Sequence, residues 1–478
     1  MNYILKGHSY ADDVVAMLML FFPNLKYTRV EEIADDGITC LSERTDKGFA
    51  AVIFEEGRQR AQSFVPIRFE GKKEEKRALG MSIKQAVESI VSAHIPWGIL
   101  TGVRPAKFVS VMQGEGMSDE EILKVLKEDY AVSEDKARLA IRVAHSERAV
   151  VEGAEPNSVG LYIGIPFCPT RCLYCSFTSY PLRQYSDRVD KYLDALEREM
   201  EYVSGAIADK TIESLYIGGG TPTSLNEQQL DRLLEMTARY FKPAKEYTVE
   251  AGRPDTITRQ KLRSLKQYGV DRISINPQTL NDSTLRLIGR EHDTAMFLKA
   301  FEMAREEGHN HINTDIILGL PSEGKTEVTY TMEGLEKLSP ESITVHTLAV
   351  KRASRLKETL ENYAMTSAET MDELIKISAD YTADMGMEPY YMYRQKNMVG
   401  NFENVGYCKP HCECIYNIQI MEEKQSIWAL GAGGSTKLVD PESDRIERIF
   451  NVKSVDDYIG RIDEMIDRKC AARDIFKK

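Results

Sequence analysis

Three thiols, Cys168, Cys172 and Cys175, lie within the stretch Gly164-Ile165-Pro166-Phe167-Cys168-Pro169-Thr170-Arg171-Cys172-Leu173-Tyr174-Cys175. Before them Val159, Leu161, Ile163 and Ile165 alternate with smaller or polar positions, which reads as a strand. Pro166 and Pro169 stop both strand and helix, so the cysteines sit on a loop at the strand's end. A loop that winds back on itself can converge three thiolates on one metal centre, and thiolates favour zinc or iron–sulfur. A structural zinc takes four ligands, usually as two C-x-x-C pairs, and only three cysteines are local here. On a four-iron cluster, three cysteines leave one iron open to a substrate or cofactor. A zinc loop or a set of redox thiols is the alternative.

The elements that position this loop must come from a long chain. With 478 residues and about 150 per domain, two or three domains are expected. An apolar content of 42% and a charged content of 28% suit a soluble protein with a full core. The net charge of −12, with no basic stripe interleaved with aromatics, argues against nucleic acid. The longest apolar run, Val14 to Phe22, is too short to span a bilayer. It follows Asp12 and Asp13 rather than basic residues, so it is not a signal peptide. Eight cysteines, three of them clustered, suit a reducing cytoplasm and a metal better than disulfides.

Residues 1–151 read as a separate α+β unit. A helix is expected from Asp12 to Phe22, strands near 27–30, 38–41 and 50–54, and helices at 74–93, 105–113, 118–130 and 133–151. Ser118 with Glu121 makes a capping box. The turn-rich stretch from Pro96 to Pro105, holding Trp97, is either a docking loop or a packed interhelical turn. Residues 152–158 are the best linker.

From Val159 onward, strand-like runs at 159–165, 212–218, 246–251, 271–276, 311–318 and 341–348 alternate with amphipathic helices, the pattern of a parallel α/β sheet. In a parallel barrel, chemistry belongs at the C-terminal ends of the strands. There lie Gly218-Gly219-Gly220-Thr221, whose backbone can approach a ligand and whose carbonyls can accept from an ammonium group. Glu250, Gln278 and Asp315 stand at later strand ends, where a helix-capping role is the alternative. The permanently charged Arg290 suits a carboxylate partner. His346 is a candidate for the interior or for the core. Farther on, a helix is expected at 366–385 and another at 454–468. Pro389 to Gln395 is an aromatic run that could stack on a flat macrocycle or form a half-buried strand. Gly431-Ala432-Gly433-Gly434 is a glycine turn without dinucleotide-site spacing. Cys408, Cys412 and Cys414, with His411 nearby, are either a second metal site or plain thiols.

Cys168-x-x-x-Cys172-x-x-Cys175 is the spacing of the radical S-adenosylmethionine (radical SAM) enzymes. Tyr162-Ile163-Gly164-Ile165-Pro166-Phe167 resembles the branch containing oxygen-independent coproporphyrinogen III oxidase, and the resemblance covers roughly residues 159–450. It implies a partial (β/α)6 barrel at 159–350, an N-terminal α+β accessory domain at 1–151 and a C-terminal α+β substrate-side extension at 351–478. It also implies a [4Fe–4S] cluster on Cys168, Cys172 and Cys175. The open iron would be chelated by the amino and carboxylate groups of S-adenosylmethionine, whose reductive cleavage makes a 5′-deoxyadenosyl radical. By the same resemblance Tyr162 and Tyr174 lie beside the cluster, and Gly219, Gly220, Thr221, Glu250, Gln278, Arg290 and Asp315 contact S-adenosylmethionine.

The implied reaction is oxidative decarboxylation of coproporphyrinogen III to protoporphyrinogen IX in haem biosynthesis. The implied partners are a tetrapyrrole and a reduced donor such as flavodoxin or ferredoxin, with neither nucleic acid nor membrane. Another radical reaction on a tetrapyrrole, such as methylation-linked haem opening, or a non-catalytic haem chaperone are the alternatives. Arg290, Arg352 and Arg394 are candidate propionate anchors. Three departures stand out. Phe177 occupies a position where the oxidases carry a further cysteine, and Tyr416 stands where the related chaperone has a histidine. Near Asn276 and Pro277 the family usually has glycine.

Overall fold

The computed structural model describes all residues except 24, 103, 176–178, 350–365, 396–401, 441, 444 and 474–478. The described chain divides into two compact units. One comprises 1–142 with 367–369 and 393–403, and the other 143–366, 370–392 and 404–478.

The first unit is built on a five-stranded sheet. Its strands are β1 (Asn2–Lys6), β2 (Thr28–Arg29), β3 (Ile38–Thr45), β4 (Gly48–Glu55) and β5 (Arg58–Pro66), in the order β2-β1-β3-β4-β5. Alternate residues of β4, Phe49, Ala51 and Ile53, point into a core with Ala78, Leu79, Ile83, Ala86 and Val87. Those five come from α2 (Lys72–Glu88), which packs beside α1 (Ala11–Phe21). The sequence reading lacks β1 and β5. β5 is a polar edge strand with little apolar alternation, and a two-residue turn fixes its pairing. Glu56 and Gly57 both have positive φ, as a type I′ hairpin requires.

Three helices follow, α3 (Pro105–Gly114), α4 (Asp119–Tyr130) and α5 (Glu134–Glu152). The expected capping box at Ser118 and Glu121 is present. In the stretch from Pro96 to Pro105, Trp97 is buried and donates its Nε1–H to Glu403 Oε2 at 2.7 Å. Lys136 holds the other oxygen of that carboxylate at 2.7 Å. Arg394 lies over the Trp97 ring and donates to the Leu100 carbonyl. Its guanidinium is buried and engaged inside this unit, which removes it as a propionate anchor. Arg352 and Phe177 lie outside the described residues.

The second unit carries an eleven-stranded sheet. Its centre is six strands, β6 (Ser158–Ile165), β7 (Thr211–Gly219), β8 (Glu246–Glu250), β9 (Arg272–Ser274), β10 (Ile312–Leu318) and β11 (Ser342–Thr347), each parallel to the next. The connecting helices are α6 (Val189–Ala206), α7 (Glu227–Tyr240), α8 (Arg259–Gln267), α9 (Thr294–Glu306) and α10 (Lys325–Leu338), with a short helix at Asp282–Leu287. The apolar runs predict this parallel alternation, and the family resemblance implies its partial (β/α)6 architecture. After α11 (Ala368–Asp384), strands β12 (Glu388–Arg394) and β13 (Glu403–Cys408) extend the sheet beyond β11, with β13 antiparallel to it. On the other side β14 (Ile427–Leu430) joins β6 in parallel, followed by antiparallel β15 (Ser435–Val439) and β16 (Ile446–Phe450). Helix α12 (Ile415–Glu422) precedes β14, and α13 (Ile462–Arg473) is the last described helix. The expected single helix at 454–468 is broken, with one segment at Val455–Gly460 before α13.

Candidate active site

The cysteine loop leaves the C-terminal end of β6, as the proline pair dictates. Cys168 and Cys172 are buried and Cys175 is partly exposed. Backbone contacts set the loop's path. Gly220 N donates to Ile165 O and Thr221 N to Phe167 O, both at 2.8 Å. The Thr221 hydroxyl lies 3.5 Å from Cys168 Sγ. At Gly220 a side chain would not fit, since a Cβ there would stand 2.5 Å from Phe167 O and 3.0 Å from Cys168 Sγ. Gly219 has φ +112°, a conformation that favours glycine. The glycine turn therefore serves close approach to the cysteine loop.

On the next strand end, Glu250 accepts from the Tyr216 hydroxyl at 2.6 Å and from Gly219 N at 3.2 Å. Burial pushes its carboxyl up to about 7, and the nearby Asp315 charge adds to the rise. Asp315 receives Asn276 Nδ2 at 2.9 Å and Asn313 Nδ2 at 2.7 Å, and His346 Nε2 lies 3.6 Å from it. Asn276, at the position that departs from the resemblance, thus orients this carboxylate. Gln278 adopts φ +68° and bridges to β10, with its backbone N donating to Asp315 O at 3.0 Å. Its buried Oε1 has no hydrogen-bond partner among the described residues.

Arg290 follows the short helix at Asp282–Leu287. Leu173 N donates to Ile288 O at 3.1 Å, stitching the cysteine loop to this segment. The Arg290 guanidinium is buried, and the Tyr174 hydroxyl and Cys172 lie in its electrostatic surroundings. Its Nε and Nη1 have no hydrogen-bond partner among the described residues. Nearby His292 is also buried, and desolvation followed by the Arg290 charge pushes it down to about 4, so it is neutral at pH 7.

Three aromatic rings form a near-parallel group in this unit. The ring centroids of Tyr216 and Tyr416 are 4.4 Å apart, and Tyr162 lies 5.8 Å from Tyr416 and 6.2 Å from Tyr216. Tyr416 reaches this position because Glu246 on β8 accepts from the backbone N–H groups of Ile415 and Tyr416 at 2.9 and 3.4 Å. The same carboxylate accepts from Cys414 Sγ at 3.3 Å, so that thiol is used as a hydrogen-bond donor. Burial pushes the Cys408 and Cys414 thiols up, Cys414 to about 12. Among the described residues no three His, Cys, Asp or Glu side chains already form a closed metal cage, in this group or in the cysteine loop.

A cavity of about 350 Å³ is lined by Lys266, Asp271, Asn310, His311 and Cys412. Asp271, Asn310 and His311 precede β9 and β10, so the cavity belongs to the N-terminal ends of those strands. The C-terminal ends carry the cysteine loop, the Arg290 guanidinium beside Tyr174, and the Glu250 and Asp315 carboxylates, and they are the candidate site.

Residues 162–335 match the radical SAM superfamily. The oxygen-independent coproporphyrinogen-III oxidase-like protein HemZ of Bacillus subtilis is 41% identical over 390 residues, covering 80% of this chain and 78% of that protein. The chain belongs to this oxidase-like family of radical SAM proteins. The heme chaperone HemW of Bacillus subtilis is 39% identical over 193 residues, which cover 40% of this chain and 50% of HemW. In fold the chain is similar to coproporphyrinogen III oxidase (HemN) from Escherichia coli. That match has a TM-score of 0.54 at 24% identity and covers 70% of this chain and 77% of the solved one.

The superfamily is one of enzymes, and its cofactors are a [4Fe–4S] cluster and S-adenosylmethionine. The residues present fit both. The loop offers only soft thiol donors, and the buried Arg290 has two nitrogens without a hydrogen-bond partner among the described residues. Among the described residues, no helix is long and apolar enough to cross a membrane.

Sequence reasoning did not mark Arg253, Tyr216 or Asn276 as site residues. Arg253 follows Glu250 by three positions in Glu250-Ala251-Gly252-Arg253. An arginine just past a strand end that carries a site carboxylate was the available signal.

Proposed function

We propose that this chain is an oxygen-independent oxidoreductase of haem biosynthesis that converts two propionates of coproporphyrinogen III to vinyl groups, giving protoporphyrinogen IX. The observation that carries the reading is Arg290, a buried guanidinium with two unpartnered nitrogens beside a three-cysteine loop. A buried charge left without a partner is costly, and a ligand carboxylate removes that cost.

In this reading Cys168, Cys172 and Cys175 hold the cluster, and Tyr162 and Tyr174 flank it. Arg290 takes the carboxylate of S-adenosylmethionine, and the backbone carbonyls of Gly219 and Gly220 take its ammonium group. Glu250 and Asp315 accept from hydroxyl donors, with Thr221 and Gln278 completing the polar lining. When bound, the cofactors would supply a 5′-deoxyadenosyl radical to take one hydrogen atom from the propionate β-carbon, and loss of carbon dioxide, with one electron passed to an external acceptor, would then leave the vinyl group. The protein's part is to hold the reacting carbon in line and exclude water, and the Tyr162, Tyr216 and Tyr416 rings help to exclude it. Residues 1–151 act as an accessory domain, 159–350 as the catalytic barrel and 351–478 as the substrate-side extension. The electron comes from a reduced flavodoxin or ferredoxin in the cytoplasm. A different radical reaction on a tetrapyrrole is the nearest enzymatic alternative.

A haem-chaperone role is favoured by the 39% identity to HemW. Against it, the position aligned with the chaperone's histidine is Tyr416, and its ring is packed against Tyr216. Anaerobic incubation with dithionite, S-adenosylmethionine and coproporphyrinogen III separates the readings. 5′-Deoxyadenosine with loss of two carboxyl groups from the tetrapyrrole is the expected result. 5′-Deoxyadenosine with unchanged tetrapyrrole keeps the radical chemistry and removes the substrate. Tight haem binding without turnover supports the chaperone.

A further inference from the structure

Arg253 stands just past the end of β8 and is 3% exposed. One edge of its guanidinium is a fork onto Asp255, with Nε donating to Oδ1 at 2.9 Å and Nη2 to Oδ2 at 2.6 Å. The opposite nitrogen, Nη1, donates to Thr170 Oγ1 at 2.7 Å and reaches Thr170 O at 3.4 Å. Thr170 lies inside the cysteine loop, between Cys168 and Cys172. A single planar side chain therefore joins the third strand end to the middle of the loop.

The arrangement has a direction. Asp255 sits on the far edge of the guanidinium, and the near edge faces the loop. Cys168 and Cys172 both lie within the field of the Arg253 charge. Although burial opposes ionisation of Asp255, the fork from Arg253 holds its carboxyl below the usual range, so the pair is a charged one. In a buried site such an oriented pair acts strongly, because little water screens it. A four-iron cluster on three thiolates gains one negative charge when one electron enters, with no bond broken. Hydrogen bonds and charges around the sulfur ligands are what set the potential of such clusters.

We infer that Arg253 is a positioning residue that clamps the cysteine loop through Thr170 and raises the reduction potential of the cluster held there, with Asp255 moderating the effect. The inference rests on Cys168, Cys172 and Cys175 being the cluster ligands.

The test uses the full chain, reconstituted anaerobically with iron and sulfide and titrated with dithionite while the reduced-cluster signal is followed by electron paramagnetic resonance. Arg253→Gln should disfavour the reduced cluster at least tenfold, a fall of about 59 mV for a one-electron couple. Asp255→Asn leaves the guanidinium charge uncompensated and should move the midpoint the opposite way. A merely structural role would lower iron loading in both variants without opposite shifts. An unchanged midpoint in loaded Arg253→Gln, or shifts of the same sign in both, overturns the inference. If Arg253→Gln fails to load, Asp255→Asn decides alone, and anything but an upward shift overturns it. Cys172→Ala is the control for the reading beneath. Wild-type protein that takes up no more cluster than Cys172→Ala would overturn the ligand assignment itself, and the Arg253 inference with it.

Discussion

Lys469 Nζ stands 2.7 Å from Glu199 Oε1, and neither side chain has exposed surface. Around the same carboxylate gather the Tyr458 hydroxyl at 2.5 Å, Asn451 Nδ2 at 2.8 Å and Gly431 N at 2.8 Å. The network joins α6 and α13 to the glycine turn after β14. That turn lies against the end of β6, because a Cβ on Gly431 would stand 2.4 Å from Gly164 O. Tyr192 completes the link by donating to Gly164 O at 2.6 Å. The strand that delivers the cysteine loop is thus anchored from the far end of the chain.

Removing one member of this pair leaves a buried charge without its partner. Lys469→Met should cost about 3–5 kcal/mol in equilibrium urea unfolding. Adding Glu199→Gln should recover part of that loss, since no bare carboxylate then remains. A single-variant loss below about 1 kcal/mol would place the pair among weak ion pairs.

Glu250 sets a pH dependence with a definite sign. Its carboxyl titrates at about 7 in the folded chain against an ordinary 4.5. Between those values the folded state binds more proton than the unfolded state. The contribution of this group to stability is therefore present in full below about 4.5 and is lost as pH rises through about 7. Glu250→Gln in cluster-free protein should flatten the stability profile across that window. Tyr216→Phe removes a hydroxyl that favours the ionised form and should move the window upward. Urea midpoints at pH 5, 6, 7 and 8 would check both, and an unchanged slope in Glu250→Gln would contradict the assignment.

Arg290→Lys keeps the charge and loses the planar fork. It should weaken S-adenosylmethionine binding by about 2 kcal/mol, or roughly thirtyfold, while leaving iron content unchanged. Equilibrium binding to reconstituted protein measures this directly. Wild-type affinity in the variant would remove Arg290 as the carboxylate partner.

Gly220→Ala pushes a methyl group into Phe167 O and toward Cys168 Sγ. The backbone atom cannot yield cheaply, so the loop must shift. Iron and sulfide per chain after reconstitution should fall well below wild type. Full loading would mean that the loop has room the structure does not show.

Much of the barrel was legible in the sequence, because parallel strands buried on both faces read as apolar runs and their helices carry a 3.6-residue period. β6, β7 and β10 follow the expected positions to within a residue or so at each end. β5 was not legible, since Arg58 to Pro66 alternates weakly and depends on the Glu56-Gly57 turn for its pairing. At the site, residues within a motif were readable, as with the cysteines and the glycine turn. Residues that act from a distance were not. Asn276 orients Asp315 from a neighbouring strand, and Arg253 reaches back 83 positions to Thr170. Such partners are set by strand adjacency, which periodicity does not encode. Nor was the placement of Tyr416 legible, for its alignment with a chaperone histidine says nothing of the Glu246 contacts that draw it toward Tyr216.

The central claim is that a propionate β-hydrogen is abstracted at this site. The direct measurement is deuterium transfer from coproporphyrinogen III labelled at the propionate β-carbons, under anaerobic conditions with reconstituted protein, dithionite and S-adenosylmethionine. The account predicts deuterium in the 5′-deoxyadenosine formed, with one equivalent transferred for each vinyl group made, and no transfer with Cys172→Ala. Unlabelled 5′-deoxyadenosine accompanied by intact, fully labelled tetrapyrrole would contradict it.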